Sequence, residues 1–150
     1  MTGIKAILGV LLAAVVAGAF AIASQARTAQ HPPRHGALHV TKECGDYQGQ
    51  PGGFCTIVSS NLSAIPAGSK VFYFEAAGAQ GLVSDLALYA GPGNAALGHV
   101  NLSGTSGVIT FAGGTGDFRG FHARAVVSYD ADHDLWLWDG TYRFTGSDDD

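Results

Sequence analysis

This sequence is poor in cations: 8 lysines and arginines stand against 12 acids, for a formal net charge of −4. No basic cluster is present, so nucleic acid and anionic membrane surfaces find no electrostatic counterpart on it. Cysteine is nearly absent, with Cys44 and Cys55 the only two. Two cysteines give none of the repeated spacing of a zinc site. No segment carries helical periodicity over three turns, which argues against a helical domain. No internal repeat at a period of about 20 to 50 residues is present, so a solenoid or propeller is also excluded.

One long apolar run exists, at the N-terminus. Lys5 precedes an uncharged stretch over residues 6–23, and the small residues AIASQA follow, with cleavage sites after Ala23 or Ala26. A basic start, an apolar middle and a small-residue exit make residues 1–26 a secretory signal peptide. The rival is an uncleaved anchor, since the run is almost long enough to cross a bilayer. Its richness in alanine and glycine favours cleavage. Either reading puts the remainder outside the cytoplasm.

Removing 26 of 150 residues leaves 124, enough for one domain with a real core, and takes the net charge from −4 to −5. In an exported chain, Cys44 and Cys55, eleven positions apart, read most economically as a disulfide. Closing so short a loop stabilises by roughly 3 kcal/mol on the chain-entropy argument. A free or reactive thiol is the alternative.

Residues 27–36, RTAQHPPRHG, form a polar linker, and residues 146–150 an acidic tail. Between them lie short runs of β-branched and aromatic residues punctuated by glycine, asparagine and proline. The predicted strands are 37–42, 54–60, 70–76, 82–90, 97–103, 107–112, 121–129 and 134–144. Eight such strands make an all-β domain over residues 37–145, an antiparallel sandwich or barrel. Alternation sorts the faces. Trp136, Trp138, Tyr142 and Phe144 share one side of the last strand. Phe121, Ala123, Ala125, Val127 and Tyr129 share one side of the strand before it. Phe72 and Phe74 oppose Val71, Tyr73 and Glu75, and burial is expected for the aromatic faces.

Several motifs dissolve on inspection. GPGNAA at residues 91–96 fits a dinucleotide pattern but lacks the helix that would hold a pyrophosphate. Asp130, Asp132 and Asp134 alternate like the start of a calcium loop. Leu135 and Thr141 then stand where that loop needs glycine and glutamate, so an acidic hairpin turn is expected. His31, His35 and His39 recur every fourth residue, yet Pro32 and Pro33 oppose the helix that would align them as metal ligands. Asn61 and Asn101 open N-x-S sequons, relevant only in a host that glycosylates its exports. Glu75, Asp85, His99, His122 and Arg124 are polar residues inside strands: a solvated face if outward, a polar constellation if inward.

The most informative segment is VITFAGGTGDFRGFHARAVVSY, residues 108–129. Gly113, Gly114, Gly116 and Gly120 mark a sheet corner where a Cβ would obstruct the backbone. With its flanking strands, this segment resembles the G-G-[ST]-G-x-F corner of allene oxide cyclases and plant dirigent proteins. GGFCTIVSSNL and KVFYFEA resemble the cyclases' cysteine-bearing strand and the strand after it, and DLWLWDGTYRF matches their last strand in placement. The resemblance spans residues 44–144. It implies an eight-stranded antiparallel calycin-like barrel with an apolar cavity, acting without metal or organic cofactor, and often a homodimer or homotrimer. Cys55 stands where the cyclases carry a cysteine in the cavity wall. Their mouth glutamate has no counterpart beyond Glu43.

The expected function is binding of a small apolar molecule, with guidance of its cyclisation or coupling as the enzymatic variant. The cavity is expected to be lined by Phe72, Phe74, Trp136, Trp138 and Tyr142. Tyr73, Asp85, His122 and Arg124 are the candidates for polar or proton-transfer roles. A cyclase-like isomerase and a non-catalytic surface protein with a plugged barrel are the alternatives.

Overall fold

A computed structural model describes residues 33–146. The segments expected to be a signal peptide and most of an acidic tail lie outside the described residues. Eight strands follow in chain order: β1 His35–Glu43, β2 Phe54–Ser60, β3 Lys70–Tyr73, β4 Gly81–Tyr89, β5 Ala95–Ser103, β6 Ser106–Gly114, β7 Phe121–Asp130 and β8 Leu135–Phe144. Each pairs antiparallel with its chain neighbour, and β8 returns to β1, so the sheet closes into a barrel with no unpaired edge. β1 begins at His35, two residues inside the stretch read as linker. β3 ends at Tyr73, short of the expected Ala76, where the backbone N–H of Phe74 donates to the Ser84 hydroxyl.

The glycine corner is where the barrel turns over at one end. Against Ala96 to Gly98, β6 carries one extra residue between Phe111 and Gly114, a bulge in which Gly113 adopts φ +91°. At Gly114 a Cβ would run into the Ala95 carbonyl oxygen, so only glycine lets β5 and β6 close here. A 3₁₀ turn, Gly116–Phe118, follows and drives Phe118 into the barrel, where it is fully buried.

Phe118 packs edge-on against Phe121 at 5.3 Å, and Phe121 meets Phe111 at 5.6 Å and Phe144 at 5.2 Å. With Leu62 and Ile65 from the β2–β3 loop, these rings belong to the buried core and fill the end of the barrel that holds the corner. The opposite end is formed by the end of β1, the start of β2, the end of β3 and the start of β8. It is hollow.

Candidate ligand cavity

Alternation along β1 places Leu38, Val40 and Lys42 inside the barrel and His39 outside. Lys42 is thus a charged side chain at a core position, only 5 % exposed. Its Nζ sits 5.5 Å from the centre of the Tyr73 ring, 5.4 Å from Trp136 and 5.9 Å from Trp138. Its one short polar contact is a 3.3 Å hydrogen bond donated to the Cys44 sulfur. Cys44 and Cys55 form a disulfide with Cα atoms 4.3 Å apart, and both line the same space.

These residues wall a cavity of about 210 Å³, completed by Leu82, Val100, Ile109 and Val127 at its sides. Ala77 and Gly78 of the β3–β4 loop and Gly104 of the β5–β6 turn form its mouth. No carboxylate lines it, so the amine has no counterion. Burial holds the Lys42 pKa down at about 7, with Glu43 pulling weakly upward. Three ring faces favour the cation by about 0.5–2 kcal/mol each. Desolvation of an ion costs several kcal/mol, so it wins.

Tyr73 is 3 % exposed and faces the same cavity. Burial, and then the neighbouring Tyr47, push its phenol pKa upward, which keeps it a proton donor. Tyr47 packs on it at 5.1 Å, and burial likewise raises the Tyr47 phenol. The Tyr47 hydroxyl and the Trp138 indole N–H are sealed from solvent with no hydrogen-bond partner. Each such orphan costs about 1–3 kcal/mol.

The structure redistributes the residues expected at the site. Tyr73, Trp136 and Trp138 line the cavity, as does Cys55. Phe72 and Phe74 do not. Cys55 lies opposite Val71 inside the barrel, so the next pair, Phe54 opposite Phe72, points outward, its rings 5.6 Å apart. Phe74 is half exposed. Both faces of β3 carry large apolar residues, with Lys70 on the Phe72 side, and Val71 and Tyr73 are the ones that turn inward. Tyr142 points inward but lies against Gly36 and Phe144, near the filled end, and is not among the residues lining the cavity. Asp85 sits on the outer surface, where its carboxylate is 2.8 Å from Nδ1 of His99. His122 and Arg124 also lie outside, with Thr141 and Arg143. Glu75 is exposed and accepts from the Asp85 N–H at 2.7 Å.

The metal-like patterns prove local. His31 lies outside the described residues, while His35 and His39 stand exposed on strand β1. His39 pairs with Asp139 at 2.7 Å. Asp130 accepts from the backbone of Asp132 and from His133, whose hydrogen bond holds its pKa low. Among the described residues no group of three or more His, Cys, Asp or Glu could hold a metal ion.

Lys42 is the residue that sequence reasoning missed. The signal was present in Leu38-x-Val40-x-Lys42, a lysine in register with an apolar stripe. Compared with known proteins, the chain matches no family model, no curated protein and no solved structure.

The disulfide has a direct stability consequence. Replacing both cysteines with serine is expected to lower the free energy of unfolding by about 3 kcal/mol, read from urea denaturation. A loss below about 1 kcal/mol would show that the β1–β2 connection is held by its other contacts.

Proposed function

We propose that this protein is an exported binder of a small apolar molecule, held in the open end of its barrel. The carrying observation is the apolar cavity of about 210 Å³ lined by Lys42, whose amine has no oxygen acceptor there. That volume lies between an engineered cavity of roughly 150 Å³ that takes benzene and drug-sized pockets of about 300 Å³ or more. It suits one ring or a short chain; a longer chain would extend through the mouth. The Cys44–Cys55 disulfide is compatible with an extracytoplasmic location.

The likeness to allene oxide cyclases and dirigent proteins supports this reading. Guidance of a cyclisation is its enzymatic form, favoured by a proton-donating phenol and an amine facing one cavity. The test is uptake of an apolar fluorescent probe by the folded domain. Saturable uptake is expected, weakened about tenfold or more by Leu102→Trp, which enlarges a lining residue near the end of β5, beside Gly104 of the mouth. Absence of uptake by protein with a native circular-dichroism spectrum would remove the cavity as a binding site.

A further inference from the structure

We propose that Lys42 is the covalent docking point of this cavity, its amine condensing with a small apolar aldehyde to form an imine. The proposal rests on the cavity being a ligand site and names the ligand's chemistry.

The geometry carries it. Among the described residues, Lys42 is the only amine lining the cavity, and neither an acid nor a second cation lines it. Its ammonium form is boxed by three rings and one sulfur, which offer a single weak acceptor to three donors. The other titratable groups facing it are Tyr47 and Tyr73; Glu43 is its chain neighbour, half-buried on the opposite face of β1. Both phenols are pushed up by burial and stay protonated, so neither neutralises the ammonium by ionising. The amine sheds its proton instead, near pH 7. About half is then free amine at neutral pH, against roughly 0.04 % for an ordinary lysine. A desolvated lysine is the usual nucleophile for a carbonyl.

The step balances without redox chemistry. The nitrogen lone pair attacks the carbonyl carbon, a C–N bond forms, and the C=O π pair moves to oxygen. That oxygen takes a proton from the Tyr73 phenol or from water, giving a carbinolamine. The nitrogen, left with two protons after the attack, returns one to the donor and passes the other, through the phenol or a water, to the hydroxyl, which leaves as water as the nitrogen lone pair forms C=N. One amine and one aldehyde give one imine and one water. The product suits the site better than the reactant, because a neutral imine replaces a group that burial penalises when charged.

The chain makes the test clean, because Lys5, Lys42 and Lys70 are its only lysines. Lys70 is partly exposed on the outer surface, donating to Thr56 at 3.0 Å beside the Phe54 ring, and serves as an internal control. The full-length protein is incubated with benzaldehyde at pH 7, reduced with sodium borohydride, and peptide-mapped by mass spectrometry. We expect one added benzyl group on Lys42, about tenfold or more above Lys70, because the apolar cavity holds the aldehyde beside the Lys42 amine. Lys42 labelling should rise with a midpoint near pH 7. Glyceraldehyde, a polar aldehyde, should show no preference for Lys42. Lys42→Met should lose the label, whereas Lys70→Met, on the outer surface, should keep both the Lys42 label and probe uptake.

Benzyl alcohol separates the two levels of the argument. It matches benzaldehyde in size but has no carbonyl. If both displace the probe and Lys42 stays unlabelled, the cavity binds ligands but the imine proposal is overturned. Equal labelling of Lys42 and Lys70 overturns it as well. If neither compound displaces the probe and Lys42 is unlabelled, the ligand site itself fails.

Discussion

Lys42→Met is expected to stabilise the domain by about 5 kcal/mol at pH 6 and by only about 1.5 kcal/mol at pH 9.5. In the unfolded chain the lysine has its ordinary pKa of 10.5, whereas in the barrel burial holds it at about 7. Below pH 7 both states carry the proton, and folding bears the full cost of burying an ammonium without a counterion. Between pH 7 and 10.5 the unfolded state binds more protons, so stability rises with pH. Above 10.5 both forms are neutral and the penalty is gone. Methionine fills a similar volume with no charge, so its advantage shrinks across that window. Tyr47 and Tyr73 work in the opposite sense above pH 10, since burial raises their folded pKa values. Stopping at pH 9.5 keeps them silent. Urea denaturation of both proteins at several pH values gives the difference directly. A gap between wild type and variant that does not change with pH would show that Lys42 carries no buried-charge penalty.

Phe118→Ala is expected to lower stability by about 4 kcal/mol, within the range for large-to-small aromatic substitutions in cores. Phe118 is fully buried against Phe121 and closes the end of the barrel where the glycine corner turns. The 3₁₀ turn that delivers it is pinned by the Phe118 N–H to Thr115 and the Arg119 N–H to Gly116, so the backbone has little freedom to collapse into the void. Val126→Ala is the control. Val126 is 52 % exposed on the outer face of β7, and its truncation should change stability by less than about 0.5 kcal/mol. Equal losses at the two positions would contradict the division of the barrel into a packed end and a hollow end. Thermal unfolding followed by circular dichroism reads both.

The strand pattern was legible because local chemistry writes it. Phe54–Ser60 is the same in expectation and in structure, and β7 and β8 bury the faces their alternation assigns. In β8 the outward residues include charged Asp139 and Arg143, so one face is marked by polarity. β3 carries a mixed mark: Lys70 shares the Phe72 face, while Glu75, just past the strand, is in phase with Val71 and Tyr73, and it is Val71 and Tyr73 that are buried. Lys42 failed to register for a separate reason. A lysine in a strand suggests solvent, and that local preference hides a position in line with Leu38 and Val40. Asp85, His99, His122 and Arg124 obeyed the preference and lie outside, where His99 and Asp85 pair under solvent.

By itself the sequence marked residues 37–145 as an all-β domain of eight short strands, turned at residues 113–120 by glycine, with a Cys44–Cys55 bridge as the most economical reading. Those features depend on side-chain period, backbone freedom and thiol chemistry, all readable within a few residues. The residue pattern left sandwich and barrel open, the resemblance implied the barrel, and the tertiary structure shows the sheet closed. Only that structure decided that one end is plugged by Phe118, the other hollow, and Lys42 within the hollow. Closure depends on β8 meeting β1, with His39 opposite Asp139, a pairing across about a hundred residues that no local pattern encodes. It also turns a tolerable strand lysine into an amine stripped of water.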